Sequence, residues 1–157
     1  MDRSASVGTL ARVVDDRTRA LRDRPLLTAY DDRTGARTEL SYATADNWAA
    51  KTAHLLAEDV GVRRGDTVLL DLDGHWTAAV ITLASWKLGA AVAPVVDGEH
   101  PLADVRAVCC HTACLDRHPT GLVVIVGDGL RAEPIEPLPP RDDLVVLGDD
   151  VHAYADE

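Results

Sequence analysis

The chain has 157 residues, 46% of them apolar and 27% charged, the balance of a globular domain able to bury about two-thirds of its unfolded surface. That balance excludes disordered, collagen-like and disulfide-scaffold classes. Sixteen Lys and Arg against 26 Asp and Glu leave a formal charge of −10, which repels phosphate backbones and anionic lipid heads, so neither nucleic acid nor a membrane surface is an expected partner.

Met1-Asp2-Arg3-Ser4 lacks the apolar stretch of a signal peptide, and the longest apolar run, Leu88 to Val96, is interrupted by Gly89 and Pro94. A cytoplasmic location is expected. Cys109, Cys110 and Cys114 lie within six positions, which is no framework for stapling a fold and fits a reducing compartment.

Val7 to Leu21 carries apolar residues at helical spacing and is closed off by Pro25, which predicts an N-terminal helix. Leu26 to Tyr30 and Thr38 to Ser41 flank the turn-rich run Asp31-Asp32-Arg33-Thr34-Gly35 and read as a β-hairpin. A second helix follows from about Tyr42 to Asp59 with Ser41 as N-cap. Its apolar stripe is Tyr42, Ala45, Trp48, Ala49, Thr52, Leu55 and Leu56, and Asn47, Lys51, His54 and Glu58 form the solvated face. Val68 to Leu72 reads as a strand, Trp76 to Leu88 as a helix apolar on nearly every side, and Ala90 to Val96 as a strand covered on both faces, together a βαβ unit.

Pro101 opens a short helix expected over Leu102 to Cys110, and Leu122 to Val126 and Leu144 to Leu147 read as two further buried strands. Pro134, Pro137, Pro139 and Pro140 imply an extended linker between them. The expected fold is α/β: one domain over residues 1–150, a three-layer parallel or mixed sheet with helices on both faces, preceded by the N-terminal helix and the hairpin. Residues 151–157 read as an acidic tail.

Four segments taken in order carry a family likeness. Leu27-Thr28-Ala29-Tyr30 resembles the "pALI" strand of the adenylate-forming enzymes, and Thr38-Glu39-Leu40-Ser41-Tyr42 resembles their "T-Y-x-E-L" segment. Gly61-Val62-Arg63-Arg64-Gly65-Asp66-Thr67-Val68 resembles "G-V-x-x-G-D-x-V", and Leu83 to Pro94 resembles "L-A-x-x-K-x-G-A-x-x-x-P". The region so matched is the opening subdomain of acyl-CoA synthetases, peptide-synthetase adenylation domains and luciferases. Tyr30-Asp31-Asp32, Asp46-Asn47-Trp48, Lys51-Thr52-Ala53 and His75-Trp76-Thr77-Ala78-Ala79-Val80 are closer still to a group of short actinobacterial proteins distantly related to these AMP-binding enzymes. So is the stretch from Pro137-Leu138-Pro139 to Val151-His152-Ala153-Tyr154. This closer likeness implies the fold and no particular reaction.

The resemblance also identifies parts that these 157 residues do not contain. They are the Ser/Thr/Gly-rich phosphate loop ending in Pro-Lys, the Y-G-x-[ST]-E segment that holds adenine and metal, the ribose-binding [ST]-G-D, and the catalytic lysine. Gly148-Asp149-Asp150 is a two-letter echo of the ribose motif, and Lys51 and Lys87, the two lysines, both fall in helical patterns. Adenylation needs positioned donors and Mg²⁺ at the α-phosphate. No catalytic residue of the family and no cofactor is therefore expected.

Three constellations remain. Gly127-Asp128-Gly129 begins like a dinucleotide fingerprint, but Pro134 follows too soon for a phosphate-binding helix, so a tight turn is expected. Cys110, His111, Cys114 and His118, with Cys109 beside them, are ligand types that zinc selects, at a spacing that matches no established structural zinc pattern; small buried thiols at a helix end are the simpler account. The third uses topology, because ligands of open α/β sheets bind beyond the carboxyl ends of the strands. Asp73 and His75 follow one such strand, and Glu99 and His100 follow the next, so neighbouring strands would place two histidines and several carboxylates on one rim, enough for a metal site or a general acid/base pair.

The sequence is accordingly read as a truncated, non-catalytic relative of the adenylate-forming enzymes that acts as a binding or assembly module, most simply a homodimer. The alternatives are a small enzyme or metal- or ligand-binding protein using the His75 and His100 rim, and a subunit that completes an adenylating partner in trans.

Overall fold

The computed structural model describes residues 9–32, 35–72, 74–96, 104–127 and 140–147. Helix α1 (Leu10–Leu21) is opened by Thr9, whose hydroxyl accepts from the Arg12 N–H at 3.3 Å. Strands β1 (Pro25–Asp31) and β2 (Ala36–Ser41) pair antiparallel as the expected hairpin. Ser41 then caps α2 (Tyr42–Glu58), its Oγ accepting from the Thr44 N–H at 3.1 Å. The apolar stripe behaves as its spacing implies: Ala45, Ala49, Thr52, Leu55 and Leu56 are buried, while Asn47, His54 and Glu58 are exposed.

Strand β3 (Thr67–Asp71), helix α3 (Trp76–Leu88) and strand β4 (Ala91–Pro94) form the expected βαβ unit, with β3 and β4 parallel. Gly89 ends α3 at φ +76°, a left-handed position that an L side chain occupies only under strain; a Cβ there would also press on the Arg64 stem at 3.1 Å.

The expected helix over Leu102 to Cys110 is a correction. Residues 101–103 lie outside the described residues, and Ala107–Cys110 is a strand, β5, hydrogen-bonded to β3 on one side and to β6 (Val123–Ile125) on the other. A four-residue apolar run has no period of its own, and here the open position between two parallel strands decides its conformation. The sheet therefore has five parallel strands in the order β4-β3-β5-β6-β7, with β7 (Leu144–Val146) at the far edge. A 3-10 helix (Thr112–Arg117) connects β5 to β6. The placement of Cys109 and Cys110 at a helix end is corrected with it: both are on β5, and Cys114 is on the 3-10 helix.

Alternating side chains divide the core. Val68, Leu72, Cys109 and Val124 point to the face covered by α2 and α3, where they meet Leu55, Leu56, Ile81 and Ala84. Cys110, Val123 and Ile125 point to the other face, against Cys114 and Leu115 of the 3-10 helix. A third cluster joins the hairpin to the helices through Leu40, Ala45, Trp76 and Val80. Within it the Trp48 and Trp76 rings meet edge to face at 5.5 Å. Helix α3, apolar on nearly every side, is thus covered within one chain by α1, α2, the hairpin and β4. Lys87 near its end binds Asp15 of α1 at 3.0 Å and Asp46 of α2 at 2.8 Å. Burial works against its charge, but the two carboxylates outweigh burial and hold the ammonium above its ordinary value. Lys87, which falls in a helical pattern in the sequence, is a structural clamp between helices.

Most of the linker prolines and the acidic tail, like the boundary set at residue 150, fall outside the described residues. Among the described residues no helix is long and apolar enough to cross a membrane. Leu56→Ala, which empties a fully buried position, is expected to cost ~2–5 kcal/mol. Val13→Ala on the outer helix, where Val13 is 51% exposed, is expected to stay within ~0.5 kcal/mol. Urea unfolding of the two variants measures both, and equal effects would contradict this division of core and surface.

Candidate functional site at the carboxyl ends of the sheet

The chain leaves β3 toward β4 on one side and leaves β5 toward β6 on the other, so the connections diverge between β3 and β5. A crevice opens at such a switch point in parallel sheets. His75 lies just beyond β3 and is the N-cap of α3; its Nδ1 accepts from the Thr77 N–H at 3.4 Å and from the Thr77 hydroxyl at 2.7 Å. His111 lies just beyond β5 and donates from Nδ1 to the Val126 carbonyl at 3.1 Å. These bonds set opposite tautomers, with the proton on Nε2 in His75 and a lone pair on Nε2 in His111. The two rings meet at right angles with centroids 5.2 Å apart.

The expected rim is therefore partly rearranged. Its strand-end position is correct for His75, and β3 and β4 are neighbours, but Asp73, Glu99 and His100 lie outside the described residues. The histidine that meets His75 is His111. The sequence contained the signal for this, a histidine directly after a short apolar run, but reading that run as a helix concealed that His111 stands at a strand end.

On the opposite face of the sheet Asp71, the last residue of β3, is only 4% exposed. Its carboxylate accepts from His118 Nε2 at 3.0 Å and from the Arg117 guanidinium at 3.1 and 3.3 Å. A carboxylate in that position is tolerated because both neighbours satisfy it. Nothing in the spacing from Asp71 to Arg117 and His118 marked the three as partners, since the contact crosses more than forty residues.

The four candidate ligands Cys110, His111, Cys114 and His118 are distributed between these two environments: His111 bonds the Val126 carbonyl, His118 bonds Asp71, and the thiols pack in the apolar cluster under the 3-10 helix. Among the described residues no group of three or more His, Cys, Asp or Glu side chains is placed to hold a metal ion. All three cysteines are buried, and none is in a disulfide. Burial, with the neighbouring Cys114 and Asp71, pushes the Cys110 thiol up to about 12, and burial raises Cys109 as well. These thiols are protonated and poor nucleophiles near neutral pH.

The family model of the AMP-binding enzymes matches residues 14–114, nearly two-thirds of the chain. The chain belongs to the AMP-binding enzyme family. It is also 40% identical over 78 residues to a TIGR03089 family protein from Mycobacterium tuberculosis, a match that covers 50% of this chain and 32% of that protein. The likeness to short actinobacterial relatives of the AMP-binding enzymes thus has a direct counterpart. Among solved structures, an acyl-CoA synthetase from Brucella canis superposes with a TM-score of 0.77 at 18% identity, over 94% of this chain and 28% of that one. The chain therefore spans about a third or less of the proteins it matches, and at that identity the superposition establishes the fold.

Thiols raised in the folded state give a pH-dependent stability of definite sign. The unfolded thiols titrate near their ordinary 9.0 and the folded Cys110 near 12, so the folded state binds more protons between these values. Their contribution is complete below about pH 9 and is lost as pH rises toward 12. Urea midpoints at pH 7 and pH 10.5 are expected to differ more for the native protein than for a Cys109→Ala/Cys110→Ala variant; equal differences would contradict the burial of these groups.

Proposed function

We propose that the chain is a non-catalytic binding or assembly module, a pseudoenzyme built on the first α/β subdomain of the AMP-binding enzymes. The observation that supports this is how the strand-end groups are used. His75 caps α3 and Asp71 is satisfied by Arg117 and His118, so each has a structural task. Assembly with a second copy would use side-chain contact at edge strand β4, where Ala91 and Pro94 are exposed, since Pro94 lacks the N–H that strand pairing needs. The tag-free protein is expected to catalyse no ATP–pyrophosphate exchange with a broad panel of carboxylic acids, and light scattering at low micromolar concentration is expected to give the dimer mass. Exchange above background by the protein alone would refute the non-catalytic reading, and a stable monomer would refute the homodimer. Exchange that appears only on adding a second polypeptide would favour a subunit acting in trans.

A second reading, a ligand- or metal-binding protein that uses the rim, is favoured by the right-angled contact of His75 and His111. It requires bound metal or ligand in the native protein that a His75→Ala/His111→Ala variant loses while keeping its fold. Metal analysis of protein purified without a histidine tag that finds less than stoichiometric zinc, nickel, iron or manganese would remove its metal form.

A further inference from the structure

A cavity of about 330 Å³ lies on the face of the sheet away from α2 and α3, between the strands and the segment that follows the 3-10 helix. Val108 and Leu122 give it apolar lining, and the polar side chains of Arg106, Arg117, His118 and Thr120 line it as well. The segment that carries these two residues is fixed from behind. Arg141 donates to the His118 carbonyl at 2.9 Å and to the Gly121 carbonyl at 3.4 Å, and Asp143 holds the Arg141 guanidinium at 2.7 and 2.8 Å. Gly121 takes the φ of +94° that this return requires. The cavity wall is therefore preformed, which lowers the ordering cost of binding.

Two of these polar side chains, Arg117 and His118, are oriented by one buried carboxylate. Asp71 receives one nitrogen of Arg117 and the Nε2–H of His118. In this tautomer the His118 Nδ1 carries a lone pair, and Arg117 has N–H groups beyond the nitrogen that Asp71 engages. A guanidinium edge takes an oxyanion, and an imidazole lone pair takes a hydroxyl or N–H donor. Beside them the apolar lining takes a compact hydrocarbon body, and the volume is in the range of small-molecule sites.

We infer that this cavity binds a small amphiphilic anion, with its oxyanion head on Arg117, an adjacent hydroxyl donating to His118 Nδ1, and its apolar body against Val108 and Leu122. No covalent step is involved. The site is separate from the His75 and His111 rim and does not depend on the module reading.

Mandelate is the probe, because it carries a carboxylate, an adjacent hydroxyl and one ring. Its titration, followed by NMR of the native full chain, is expected to shift the amides of residues 118–122 and the His118 imidazole saturably, with affinity in the millimolar range or tighter. Phenylacetate, which lacks the hydroxyl, is expected to bind at least five-fold more weakly, and benzyl alcohol and inorganic phosphate to leave these signals unmoved. Arg117→Gln is expected to weaken mandelate at least ten-fold while the amide dispersion stays native. Should that variant unfold, Arg117→Lys keeps a cation for Asp71 and is expected to weaken binding several-fold through loss of the planar fork. Saturation that maps elsewhere, equal binding of phenylacetate or phosphate, or unchanged affinity in the folded Arg117 variant would each overturn the assignment.

Discussion

Parallel strands buried on both faces must be apolar along nearly their whole length, and the pairing of β5 between β3 and β6 is where this chain meets that demand. Ala107, Cys109 and Cys110 are all buried there. Every other placement follows from that strand. It puts α2 and α3 on one face and the 3-10 helix on the other, and it separates the ends of β3 and β5 so that His75 and His111 meet across the crevice. A polar or charged residue at Cys109 would sit among Val68, Leu56 and Val124 without a partner.

Asp71 is the one acidic side chain the sheet buries among the described residues, and it explains the arrangement of the second face. An unpaired carboxylate in that position would cost more than a surface ion pair can return, so Arg117 and His118 close over it. The same contacts orient both side chains in the cavity beside them. A residue that burdens the core thus organises the polar groups nearest to it, and the clamp of Arg141 on the following segment keeps them in place.

The opposite end of the molecule uses its charge differently. Lys87 bridges Asp15 and Asp46 where three helices converge, which ties α1, a helix with no fully buried residue, to the rest of the domain. Membership of the AMP-binding enzyme family places this architecture among proteins whose chains are much longer than the matched region. In this chain the matched region has an apolar core of its own, because α1 and the hairpin cover the apolar sides of α3.

The helices were legible in the sequence because each spans several turns, repeats its apolar positions and carries its own cap, as Ser41 does for α2. The hairpin and β3, β4, β6 and β7 were legible from short apolar runs between turn residues, and the family likeness followed from motifs that lie within those same elements. Strand β5 was not legible, since Ala107–Cys110 is too short to display a period and its neighbours alone make it a strand. The partners of the polar groups were equally hidden. His75 was visible at a strand end, but its neighbour His111, the burial of Asp71, and the closure of Arg117 and His118 over it depend on strand order. Local sequence determines conformations stabilised within a few residues, whereas contacts across forty residues exist only after the sheet has assembled around its middle strand.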